Sequence, residues 1–145
     1  MQKIVPFLWF DGKAEEAAKF YVAIFKNSKL LNVTPMSVTF QLEGQQFYAL
    51  NGGPQYKFTP AISLFVNCEA QAEVDDLWKK LSASGSDEQC GWLKDKYGLS
   101  WQIIPTVLGK LLGDKNPKKA NAALQAMLKM KKIDIKGLQQ AYDQG

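Results

Sequence analysis

The sequence predicts an α+β protein: two βαβββ modules in tandem, then a C-terminal helical tail. Three observations carry this. The order strand, helix, strands occurs twice, from Ile4 and again from Ala61, which is an internal structural repeat. The middle of the first copy alternates apolar and polar residues around a Glu43-Gly44 turn, a hairpin signal. After Pro105 the pattern changes to apolar stripes at helical spacing set among lysines. The boundaries that follow are 1–105 for the two-module domain, with modules 1–52 and 61–105, and 106–145 for the extension.

Taken in order, "IVPFLWF" (Ile4–Phe10) is almost wholly apolar and reads as a buried strand. Asp11 can cap the helix that follows, from about Lys13 to Phe25, where Ala14, Ala17, Ala18, Tyr21, Ile24 and Phe25 fall at helical spacing. "SKLLNVT" is a strand ended by Pro35, and "MSVTFQLEGQQFYALN" supplies two more. "GGPQYKFTP" is a loop. "AISLFVN" (Ala61–Asn67) opens the second copy. Its helix places Val74, Leu77, Trp78 and Leu81 on one face, with Gly85 as the stop. "EQCGWLKD" is a short strand, and Gly98 closes a turn into "LSWQIIP". In the tail, "TVLGKLLG" is a short helix, Asn116-Pro117 opens a second, and Asp134 opens a third.

Composition excludes several chemistries. The chain has no histidine, and its 18 basic residues are all lysine. Histidine triads, histidine metal sites and imidazole acid–base catalysis are therefore absent, as is bidentate arginine recognition of phosphate or carboxylate. The cysteines Cys68 and Cys90 form no CxxC motif and read as two reduced thiols. No apolar run approaches the roughly 20 residues of a membrane span. The N-terminus, broken by Pro6, makes a poor signal peptide, so a cytoplasmic protein is expected. The net charge of +4 sits in the tail: residues 110–145 hold eight lysines against Asp114, Asp134 and Asp143. Without arginine or interleaved aromatics this is a solvated helical face, and no nucleic-acid partner is expected.

The segments "PFLWFDGKAEEAAKFY", "ALNGGP", "VNCE", "CGWLKDKYGLSWQI" and "KMKKIDI" resemble the PhnB-like branch of the vicinal oxygen chelate superfamily. That superfamily includes glyoxalase I, bleomycin-resistance proteins and extradiol dioxygenases, and the branch carries the label 3-demethylubiquinone-9 3-methyltransferase. One departure stands out. Such proteins usually have a longer Gly-rich loop between the second and third strands, where this chain has only "NVTPMSV". The label itself has no support in a methyl-donor motif. Such a donor is usually held by a Gly-rich turn between a strand and a helix, whereas "NGGP" here precedes a strand.

The resemblance implies a cup into which metal-binding members project four ligands from four strands. By register those positions are Pro6, about Asn51, Ala61 and Gln102. Two of them cannot ligate and two are neutral amides, so neither a metal nor a cofactor is expected. What remains is a cup lined by aromatics drawn from Phe7, Trp9, Phe47, Trp92 and Trp101, residues that serve equally as core. The expected ligand-binding set is Trp9, Asn51, Cys68, Trp92, Trp101 and Gln102. The expected function is metal-independent binding of a small molecule, or a cryptic enzymatic activity. The alternatives are an enzyme with a metal site remodelled around Gln102 and Asn51, and an interaction module working through the tail. The resemblance also implies paired modules. The tail's apolar stripes predict a two-fold homodimer in which the tail packs partly across the partner, the alternative being a monomer whose tail covers its own sheet edge.

Overall fold

A computed structural model describes residues 2–145. The chain divides into two units, residues 1–58 and 59–145. No helix among the described residues is long and apolar enough to cross a membrane.

The first unit is a βαβββ module: β1 (Phe7–Phe10), α1 (Ala14–Ile24), β2 (Lys29–Val33), β3 (Ser37–Leu42) and β4 (Gln45–Asn51). Its sheet order is β1-β4-β3-β2, with β1 parallel to β4 and the other pairs antiparallel. The alternation read from the sequence sets the core. Leu8, Phe10, Val38, Phe40, Phe47 and Ala49 are buried with Ala14, Ala17, Ala18 and Tyr21 of α1. The rings of Phe40 and Phe47 stack at 5.4 Å. Two expectations change here. The first strand starts at Phe7, not Ile4, and it is not wholly buried. It lies at the sheet edge, so its alternate residue Phe7 is 59% exposed, as is most of Ile4 before it. The short β2–β3 connection is a tight turn in which Thr34 Oγ1 accepts from the backbone N–H of Ser37 at 3.0 Å.

The second unit repeats the order: β5 (Ser63–Cys68), α2 (Gln71–Ser82), β6 (Ser86–Asp87), β7 (Trp92–Lys94) and β8 (Ser100–Pro105). Its sheet order, β5-β8-β7-β6, matches that of the first. β6 has two residues, too short for a periodic signal, and the sequence reading has no strand there. Gly85 is also not the αL stop of α2. Ser84 holds the positive φ, 60°. A Cβ on Gly85 would lie 2.1 Å from the Lys94 carbonyl oxygen, so glycine lets the chain pass close to β7.

The tail forms α3 (Thr106–Leu112), α4 (Pro117–Leu128) and α5 (Ile135–Gln144). Asn116 caps α4, its Oδ1 accepting from the Lys118 N–H at 3.0 Å, with Pro117 in the first turn. Leu108, Leu111, Ala123, Ile133 and Leu138 close a core with Ile104 of β8. The segment before α5 is also tied by backbone bonds. Cys90 N–H donates to Met130 O and Gly91 N–H to Lys131 O, both at 2.8 Å. The Gln71 amide donates to Ile133 O at 3.0 Å and accepts from Ile135 N–H at 2.7 Å. Most of the stripes thus pack within the same chain on Ile104 of the second unit's sheet, while Leu128 stays exposed.

Candidate functional site

The parallel register of β5 and β8 decides which residues share a face. Phe65 pairs with Gln102 and Asn67 with Ile104, while Trp92 of β7 pairs with Gln102 from the other side. These residues project together, and α3 and α4 stand over them. They enclose an open cavity of about 380 Å³, walled by Phe65, Trp92, Ile104, Leu108, Leu112 and Met127, with Asn67, Gln102, Thr106 and Cys90 as its polar or thiol groups. No charged residue lines it.

The polar groups are only partly used by the fold. Gln102 Nε2 donates to Ser63 Oγ at 3.0 Å, leaving its Oε1 with no partner among the described residues. The Asn67 amide and the Thr106 hydroxyl likewise make no side-chain hydrogen bond there. Two residues before Gln102, Ser100 is fully buried, and its Oγ has no hydrogen-bond partner. The polar capacity of this strand face therefore exceeds what the fold consumes.

Of the six expected site residues, Trp92 and Gln102 come together here. Trp101 does not. It neighbours Gln102 on β8, so its side chain takes the opposite face, where it is buried and donates its indole N–H to Asp95 Oδ2 at 2.9 Å. Cys68 is also fully buried, outside the cavity lining. Burial, reinforced by the nearby carboxylates of Glu73 and Glu69, pushes its thiol up to about 12. Cys90 is the thiol at the cavity. Its φ of 61° turns the chain just before Gly91, a conformation that an isolated Cys-Gly pair does not announce.

Trp9 and Asn51 belong to the first unit and have local duties there. Asn51 Oδ1 accepts from the Ala14 N–H at 2.8 Å, and its Nδ2 donates to Pro35 O at 3.1 Å. Asn51, not Asp11, therefore supplies the cap of α1, a partnership across 37 residues. Trp9 donates its indole N–H to Gly53 O at 2.9 Å and meets Tyr56 edge-on at 4.9 Å. Its ring lies over Gly52, where a Cβ would sit 2.3 Å from the indole. The two glycines of "NGGP" thus serve Trp9. Of the remaining aromatics, Phe47 is core, and Phe7 is exposed, packed edge-on to Tyr48 at 5.9 Å.

A family profile described as 3-demethylubiquinone-9 3-methyltransferase matches residues 2–104, ending just before α3. Among solved structures, the chain is similar to a PhnB protein from Bacillus cereus described as a 3-demethylubiquinone-9 3-methyltransferase. They share 36% identity over 72% of this chain and 100% of that chain, with a TM-score of 0.68. A protein from Pseudomonas aeruginosa has 20% identity over 72% of this chain and 98% of its own, with a TM-score of 0.62. The fosfomycin resistance protein FosX from Listeria monocytogenes, solved with Mn(II) and sulfate, has 14% identity over 70% and 88% of the two chains, with a TM-score of 0.53. The last two likenesses concern the fold alone. A search of curated proteins found no match.

The four positions that the resemblance implies for a divalent ion do not suit one, and two of them, Pro6 and Ala61, lie outside the strands. The Asn51 amide is held at both ends by backbone groups, the Gln102 amide is oriented by Ser63, and Pro6 and Ala61 have no donor atoms in their side chains. Among the described residues no three of His, Cys, Asp or Glu cluster as a metal site. Such an ion needs several donors with compensating charge.

Proposed function

We propose that this chain, which belongs to the PhnB-like 3-demethylubiquinone-9 3-methyltransferase family, binds a small, uncharged, mainly apolar molecule in the cavity of its second unit, without a metal ion. The observation that carries this is the pairing of an apolar wall with unused neutral hydrogen-bonding groups. Phe65 and Trp92 offer aromatic faces, and Gln102 Oε1, Asn67 and Thr106 offer orientation. A volume near 380 Å³ lies toward the small end of the ~300–1,000 Å³ typical of ligand pockets. The lack of charge in the lining argues against an ionic ligand, because an unpaired charge taken out of water costs several kcal/mol. The same lack argues against glyoxalase I chemistry, which needs an ion beside the enediolate and a carboxylate base.

The family label is not carried over as an activity. In this chain Gly52 packs under Trp9, and Gly53 O accepts from its indole N–H. We read the protein as cytoplasmic, in keeping with its two free thiols. We also read it as a homodimer, because the first unit exposes Ile4, Phe7, Met36, Leu31 and Val33 to 41% or more. Sedimentation at tens of micromolar would overturn the dimer by finding monomer alone.

The test of binding is mass spectrometry of small molecules released when the purified protein is denatured. A neutral compound should be found, and Gln102→Ala should carry less of it. One equivalent of zinc, nickel or iron, lost on Gln102→Ala, would overturn the reading.

A further inference from the structure

Gly109 stands in the middle of α3, where glycine is about 1 kcal/mol worse than alanine. Three ordinary reasons for a helical glycine are absent. Its φ is not positive. No neighbour crowds it, since a Cβ built there meets nothing within 4 Å. It does not end the helix, which runs on to Leu112. What distinguishes the position is its place. Gly109 is exposed and borders the cavity, between the wall residues Leu108 and Leu112. The matched family region ends at residue 104, so the side of the cavity built by α3 and α4 comes from the tail.

We propose that Gly109 sets the size of the molecule the cavity accepts, by keeping the mouth beside α3 open so that a ligand larger than one ring passes over the helix backbone. This rests on the binding reading above. The ligand class it specifies is a neutral, flat molecule of at least two fused rings carrying one amide group. Its N–H donates to Gln102 Oε1 and its carbonyl accepts from the Asn67 amide, while the rings lie between Phe65 and Trp92 and extend past Gly109. Glycine is the residue that lets a ligand approach backbone this closely.

Cys90 supplies the readout, because its half-buried thiol lines the same cavity and Cys68 is fully buried. The probes are benzamide, with one ring, and 2-naphthamide, with two. The rate of Cys90 alkylation by iodoacetamide is followed by intact mass, with and without each probe, in wild type, Gly109→Ala, Gly109→Leu and Gly109→Trp. Saturation-transfer NMR of each probe gives a second measure that does not depend on access to the thiol. In wild type both probes should slow alkylation, and in Gly109→Ala benzamide should do so as in wild type while 2-naphthamide does so less. In Gly109→Leu and Gly109→Trp the affinity for 2-naphthamide should fall at least about tenfold, or ~1.4 kcal/mol, while benzamide binds as before. Gly109→Ala should melt no lower than wild type. If neither probe binds wild type, the binding reading falls and this inference with it. If 2-naphthamide binds wild type and both large variants equally, this inference alone is overturned. Loss of both probes together in a folded Gly109→Leu would also overturn it, since that reports collapse of the site and not a size limit.

Discussion

Trp101 and Asp95 form a buried pair: the indole N–H donates to Asp95 Oδ2 at 2.9 Å, and both residues are at most 2% exposed. The other carboxylate oxygen accepts from the backbone N–H groups of Tyr97, at 2.8 Å, and Leu99, at 3.1 Å. One carboxylate thus fixes the turn through Gly98 and the ring that packs beneath β8. Bonds to an ionised acceptor are about twice as strong as neutral ones.

Asp95→Ala should therefore destabilise the second unit by about 3–5 kcal/mol, because it strands buried donors. Asp95→Asn should cost less, about 2 kcal/mol, since one oxygen remains while an NH₂ group faces a donor. Urea unfolding followed by tryptophan fluorescence measures both. An Asp95→Ala variant within about 1 kcal/mol of wild type would refute the assignment.

Asn51 offers a test of function against architecture. As the cap of α1, its replacement by alanine should cost about 1–2 kcal/mol. Asn51→Asp keeps the acceptor and places negative charge at a helix N-terminus, so it should cost less despite losing the bond to Pro35 O. Neither variant should change protection of Cys90 by 2-naphthamide. A loss of protection in a folded Asn51→Ala protein would place this residue in the ligand site after all.

The thiols should differ sharply. In native protein iodoacetamide should modify one cysteine, Cys90, and in denaturant two. Cys68 also predicts a pH effect. Its folded pKa, about 12, lies above the unfolded value near 9.0, so the unfolded chain loses its proton first. The stability it contributes is complete below pH 9 and is lost as the pH rises toward 12. Cys68→Ala should flatten that part of the stability profile relative to wild type. Parallel profiles from pH 9 to 11 would contradict the burial of this thiol.

The tail should be part of the fold. Gln71→Ala removes a donor and an acceptor from the backbone at Ile133 and Ile135, and should cost about 1–3 kcal/mol. Truncation after Thr106 exposes Ile104 and removes Leu108, Leu111, Ala123, Ile133 and Leu138 from its core. The second unit should then lose its near-UV circular dichroism and cooperative unfolding. A truncated chain that unfolds as cooperatively as the full one would show the tail to be an appendage.

Much of this was legible from local pattern. The alternation of Val38, Phe40 and Leu42, the Glu43-Gly44 turn, and the spacing of Val74, Leu77, Trp78 and Leu81 each report one face against one core, and the structure buries those faces. The Asn116-Pro117 start of α4 is a signal complete within four residues. The absence of histidine and arginine is a property of composition that no fold can change.

The site was less legible, because it depends on parity and on distant partners. Along "SWQIIP" five of six residues are buried, so alternation does not reveal that Gln102 faces the cavity and Trp101 the core. That waits on the register with Phe65, 37 residues earlier, and with Trp92. The two thiols look alike in sequence, but β5 ends with Cys68 inward while the turn at Cys90 leaves its thiol on the cavity. Asn51 reads as a free amide until Ala14 and Pro35 are brought to it. The sequence by itself determined the longer strands and the helices, though not the two-residue β6, and which chemistries are unavailable, because propensity, periodicity and composition act over a few residues. Tertiary structure alone decided which side chains share a cavity, because strand register and helix docking are set by contacts between segments far apart in the chain.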